Sequence, residues 1–86
     1  MNRQFPVSYE VISDTEDHIA ESNPWYGILL HDDTVIESIT IAEQEQITDQ
    51  PTILLLIKNI SPGTAFLMEI KQIKLSAGGC KLINPN

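Results

Sequence analysis

Residues 34–41 read TVIESITI, and six of these eight positions are β-branched. Such side chains fit a pleated, half-buried surface, so the stretch predicts a strand. Strict alternation would set Val35, Ile39 and Ile41 on one face, with Thr34, Ser38 and Thr40 on the other beside Ile36. Just upstream, residues 26–30 (YGILL) form a second expected strand, ended by a His31-Asp32-Asp33 turn. Downstream, residues 42–51 (AEQEQITDQP) form a polar connection.

Next comes TILLLIK, residues 52–58. A short apolar run closed by turn residues at both ends predicts a strand buried on both faces, with a buried helix as the competing reading. Burial on both faces of a small antiparallel sheet calls for a second layer, from the same chain or from a neighbouring subunit. Ser61-Pro62-Gly63 suits a type II turn, proline presetting the first central residue and glycine taking the positive φ of the second. In residues 65–75 (AFLMEIKQIKL) Phe66, Met68 and Ile70 alternate, but Ile73 and Leu75 have the other parity. A bulge or bend between Ile70 and Ile73 would restore the facing. Ala77-Gly78-Gly79 makes a permissive turn before a last strand at 80–83. The count of five or six short strands spaced by turns predicts an all-β fold, a small antiparallel sandwich or barrel.

The beginning of the chain has a different texture. Residues 5–12 alternate at Phe5, Val7, Tyr9 and Val11, but Pro6 confines that strand to an edge or an extended arm. Residues 13–24 are polar and acidic; Ser13 with Glu16 matches a capping box, so a short helix or a loop is expected before Asn23-Pro24. Residues 1–25 are therefore expected to be an acidic arm and residues 26–86 the β-domain.

A chain of 86 residues makes one domain and buries only about 60% of its unfolded surface, a marginal core. Small folds compensate with disulfides, a metal or association. Cys80 is the only cysteine and His18 and His31 the only histidines, too few soft ligands for a structural zinc site. Association with itself is the remaining route. The free thiol fits synthesis in a reducing cytoplasm. No apolar run approaches the ~18 residues that span a bilayer, and neither a membrane partner nor a secretion signal is expected.

The net charge is −7, unevenly spread. Residues 1–50 hold eleven acids against Arg3, whereas residues 51–86 hold Lys58, Lys71, Lys74 and Lys81 against Glu69. The halves either fold against each other with solvated faces, or dock acidic part on basic part between copies. Four scattered lysines in an acidic protein are a poor footprint for nucleic acid, and no nucleic-acid partner is expected. An acidic mimic of nucleic acid that inhibits a host enzyme is the alternative that this charge leaves open.

Chemistry has few places to reside. His31-Asp32-Asp33 reads as a solvated turn in which an Asp bonds nearby backbone, His18 as a histidine among carboxylates, and Cys80 as a small apolar filler. Asp14, Glu16, Asp17 and Glu21 read as a solvated face. No glycine-rich phosphate loop occurs. No enzyme activity, cofactor or metal is expected. Trp25-Tyr26, with Phe5 and Tyr9, are candidate partner contacts because aromatic residues anchor interfaces; for Trp25-Tyr26 a core position at the edge of the first main strand fits equally.

Two segments carry a resemblance. Residues 33–40 (DTVIESIT) match a D-T-V-x-x-S-I-T pattern. Pro62-Gly63-Thr64, followed by Ile70, Ile73, Leu75, Ser76 and Gly78, matches a second strand-and-turn pattern. Together they resemble small structural proteins of tailed bacteriophages, of head-decoration (cement), head-fibre or tail-fibre type. The resemblance spans roughly residues 27–83, departing from it at Met68-Glu69 and Cys80-Lys81. It implies a virion component made in the host cytoplasm, a homotrimer of β-domains whose partner is the major capsid protein or a tail protein. Capsid decoration leads; a tail, fibre-base or baseplate component is the alternative. The expected trimer interface is Ile53, Leu54, Leu55, Leu56, Ile57, Phe66 and Met68.

Overall fold

The computed structural model describes residues 8–85. Six strands and one helix follow in the order β1 (Tyr9–Ile12), β2 (Asp17–Ile19), β3 (Trp25–Leu30), β4 (Val35–Ile41), α1 (Gln50–Ile57), β5 (Ala65–Ala77) and β6 (Cys80–Ile83). All pairings are antiparallel and form one sheet, β1-β6-β3-β5-β2, with β4 on the free edge of β5. The sheet curls into a half-barrel, so the all-β expectation holds, in its barrel form.

The 13-residue β5 organises the sheet. At about 3.3 Å per residue it is long enough to carry two partners in succession on one edge. Its first half pairs with β3, as in Ile28 opposite Phe66, and its second half with β2, as in His18 opposite Ile73. On the other edge β4 runs against residues 70–77. The slip expected between Ile70 and Ile73 is there. Thr40 faces Gln72 and the next residue, Ile41, faces Ile70, leaving Lys71 as the extra residue of a bulge. Ile70, Ile73 and Leu75 are consequently all buried despite their mixed parity.

A second bulge alters β4. Ile36 faces Leu75 but Ser38 faces Lys74, so Glu37 is extra. Ile36 joins Ile39 in the core, whereas Val35, expected on the Ile39 face, is 41% exposed. The simple alternation of 34–41 is corrected at that point, because one inserted residue inverts every facing before it.

The run at 52–58 is a helix and not a strand. Asp49 caps it, accepting the Thr52 N–H at 3.0 Å, and Pro51 sits in the first turn, where its missing N–H is harmless. Leu54, Leu55 and Leu56 are good helix formers once that start is set. The helix packs on β4, and Ile53 and Ile60 plug the open side of the half-barrel, where they join Ile12, Trp25, Ile28, Leu30, Ile36, Ile39, Ile70, Ile73, Leu75, Cys80 and Leu82.

Within the stretch expected as an arm, residues 9–12 and 17–19 enter the same sheet. β1 pairs with β6, β2 pairs with β5, and Ile12 is buried. No helix starts at Ser13; Asp14 instead accepts the Glu16 N–H at 3.0 Å in a tight turn before β2. The Phe5 end of the expected first strand lies outside the described residues.

At Ser61-Pro62-Gly63 the turn forms as expected, with Thr64 N–H bonded to the Ser61 carbonyl at 3.1 Å and Gly63 at φ +81°. Gly78 turns the chain between β5 and β6 at φ +75°.

Candidate interaction surface

The candidate trimer interface separates into buried and exposed members. Ile53 is 1% exposed and belongs to the core, so it is not available to a partner. Leu56, Ile57 and Met68 are half-buried against that core. Leu54, Leu55 and Phe66 are open to solvent. Among the candidate partner contacts, Trp25 is buried, Tyr9 and Tyr26 are exposed, and Phe5 lies outside the described residues. Trp25 is the core aromatic of the two readings. Its neighbour Tyr26 turns outward because β3 and β5 shift register between Trp25 and Gly27.

On α1 and its C-cap, Pro51, Leu54, Leu55 and Lys58 are exposed. Their spacing of i, i+3, i+4 and i+7 aligns them along one face of the helix. A helix that is apolar nearly all round is normally buried on every side. Here one side meets β4 and the other meets water.

A second apolar surface lies on the outer side of the sheet. Tyr26, Leu67, Met68 and Glu69 line a groove of about 400 Å³, and Leu67 at 74% is the most exposed large apolar residue of the described chain. Leu67 faces Gly27, and Gly27 faces Ile83 on β6. The expected trimer interface includes Phe66 and Met68 but not Leu67 between them. Parity marked Leu67 as the odd residue between them, but which parity faces outward depends on the register with β3.

Two of the sheet's free edges are protected in different ways. On the free edge of β4, Ile39 exchanges backbone hydrogen bonds with Ile47 at 3.0 and 2.8 Å. The Gln50 side-chain amide donates to the carbonyls of Ile36 and Glu37 at 3.1 and 3.2 Å. At the other end β1 is four residues long with exposed Glu10 inside it; short charged edges resist further pairing. Lys81 lies 5.9 Å from the centroid of the Tyr9 ring beside it.

The polar cleft between β2, β4 and the 42–50 connection, about 600 Å³, is lined by Asp17, Glu37, Ser38, Gln46, Thr48, Gln50 and Lys74. Beneath it lies Gln72, 7% exposed. Its amide donates to Asp17 at 2.7 Å and to Ser38 at 2.9 Å, and its carbonyl accepts from Thr40 at 2.9 Å and Gln46 at 3.2 Å. All four hydrogen-bonding positions of the side chain are thus used. Lys74 and Glu37 pair at 2.7 Å, and that hydrogen bond holds the ammonium above its ordinary range. Among the described residues no buried side-chain nitrogen or oxygen lacks a partner. Around the cleft, the four bonds of Gln72 and the Lys74–Glu37 pair form a clasp that joins β2, β4, β5 and the connection.

The remaining candidates are placed as follows. His31 donates its backbone N–H to the Thr34 hydroxyl at 2.9 Å, and that hydroxyl donates to the Gly79 carbonyl. The turn is therefore closed by Thr34, where an Asp was expected. His18 lies 2.7 Å from Asp14, whose carboxyl this hydrogen bond lowers below its usual range. Cys80 is fully buried, which pushes its thiol up to about 12; a thiol so far from ionising is a poor nucleophile. Among the described residues no three His, Cys, Asp or Glu side chains cluster as metal ligands, and no helix is long and apolar enough to cross a membrane.

Searches of protein-family models, of curated proteins and of solved structures returned no match to this chain.

Proposed function

We propose that the chain is a structural subunit of a tailed-bacteriophage virion, a capsid decoration protein that trimerises and binds the assembled lattice. The observation that carries a binding role is the pair of apolar surfaces, one on α1 and one on β3 and β5, left open on a domain whose buried core does not include them. Leu54, Leu55, Phe66, Leu67 and Tyr26 are all at least 40% exposed, while the half-barrel is closed without them by Ile53 and Ile60. Large exposed apolar patches on small soluble domains mark interaction sites. The phage setting is supported by the strand-and-turn resemblance of residues 33–40 and 62–78. A cement protein acts by mass action: it binds assembled capsid and not separated subunits, and so stabilises the shell.

The same surface serves a tail, fibre-base or baseplate component equally well, and copy number separates them. Hundreds of copies per particle mean the capsid, and a few to a few dozen mean the tail or a vertex. The acidic-mimic reading is less favoured, because Asp14, Asp17 and Glu37 are engaged by His18, Gln72 and Lys74 within the chain. Mass spectrometry of purified virions tests the proposal, with presence at defined stoichiometry expected. Absence from the particles would overturn it.

A further inference from the structure

We infer that the exposed stripe of α1 seats in the outer groove between β3 and β5 of a second copy of this chain. The inference rests on the proposed self-assembling role and specifies its contact. The stripe Pro51, Leu54, Leu55 and Lys58 has the spacing with which amphipathic helices anchor in apolar grooves. The groove lined by Tyr26, Leu67, Met68 and Glu69 is apolar except for one carboxylate. The charges complement each other: Lys58 ends the stripe and Glu69 lines the groove, both exposed. A second copy supplies the apolar ridge and the matching cation at once, which singles it out as occupant.

The two surfaces cannot satisfy each other within one chain. Among the secondary-structure elements α1 meets only β4, whereas the groove lies on β3 and on the part of β5 that precedes the β4 pairing. The contact is therefore heterologous, ridge of one copy into groove of the next, and closes into a ring when the rotation permits.

A heterologous contact has a distinctive signature in mixtures. Leu55→Asp spoils the ridge and leaves the groove; Leu67→Asp spoils the groove and leaves the ridge. Sedimentation velocity from micromolar to millimolar protein should show the wild type as an oligomer. Each variant alone should be a monomer with an unchanged circular-dichroism spectrum, and an equimolar mixture should form a one-to-one dimer. Lys58→Glu and Glu69→Lys, both exposed and tolerable to the fold, should each weaken assembly by roughly tenfold, and the double reversal should restore it. A wild type that stays monomeric at millimolar concentration would overturn the contact and leave the ridge to another virion protein. Variants that keep the wild-type mass, or a mixture that stays monomeric beside an oligomeric wild type, would overturn it too. Detection on virions is a separate readout, so a monomer found on particles refutes this contact and not the structural role.

Discussion

Gly63 and Gly78 allow backbone strain and steric crowding to be measured apart. Both hold positive φ, +81° and +75°, so alanine at either position takes a left-handed conformation costing about 1 kcal/mol. Their surroundings differ. A Cβ on Gly63 meets nothing within 4 Å, whereas one on Gly78 stands 2.3 Å from the Asp33 carbonyl oxygen and 2.8 Å from the Thr34 Cα. These are backbone atoms of a turn already tied down by Thr34 to His31 and Gly79, so they yield only by moving the turn. Overpacking of this kind adds about 1–3 kcal/mol. Gly63→Ala should therefore cost about 1 kcal/mol and Gly78→Ala about 3 kcal/mol. The second is a large share of the roughly 4–13 kcal/mol that a domain of this size has. Urea unfolding followed by circular dichroism reads the difference, at one fixed protein concentration because an assembling chain has a concentration-dependent midpoint. With a slope near 1 kcal/mol per molar urea, the midpoints should fall by about 1 M and about 3 M. Equal shifts, or a larger one for Gly63→Ala, would refute the packing of the 77–79 turn beneath the 31–34 turn.

Other substitutions probe the core, the clasp and the helix cap. Ile53→Ala should lower stability by about 2–4 kcal/mol through the cavity it leaves, while Leu54→Ala, on the open face, should stay within about 0.5 kcal/mol when the protein is dilute; similar losses would put α1 elsewhere. Gln72→Ala leaves the buried Ser38 hydroxyl without its partner and should cost about 2–3 kcal/mol. It should also speed amide exchange at Ala20, whose N–H bonds the Lys71 carbonyl beside β2; unchanged exchange there would show that the clasp does not hold β2. The Asp49 carboxyl is held below its ordinary 3.8 first by the Thr52 hydroxyl and then by the Thr52 N–H. A depressed value stabilises the fold above pH 3.8, and that contribution is lost as pH falls through the folded value. The stability gap between wild type and Asp49→Ala should be constant near neutrality and shrink in acid, as urea midpoints across pH would show.

Much of the fold was legible because local chemistry and tertiary context agree there. The β-branched run at 34–41, the Ser61-Pro62-Gly63 turn and the slipped parity of 70–75 each have a local cause, and each appears where expected. The exposure of the candidate contact residues was legible only in part: Leu54, Leu55, Phe66, Tyr9 and Tyr26 are exposed, whereas Ile53 and Trp25 went to the core.

The rest needed the assembled chain. An apolar run of five residues, Ile53 to Ile57, has no period to separate strand from helix; the Asp49 cap and Pro51 in the first turn start the helix, and packing on β4 supports it. Alternation announced a short strand up to Ile12, but residues 13–19 carry too few apolar groups to announce β2, which exists because β5 offers it an edge. Burial of particular side chains was settled last, since a single bulged residue such as Glu37 or Lys71 inverts the facing of its neighbours. The amino-acid order alone thus determined an all-β domain with its main strands and turns. The curl of one sheet, with a helix closing its open side, decided which leucines face water and are free to meet another chain.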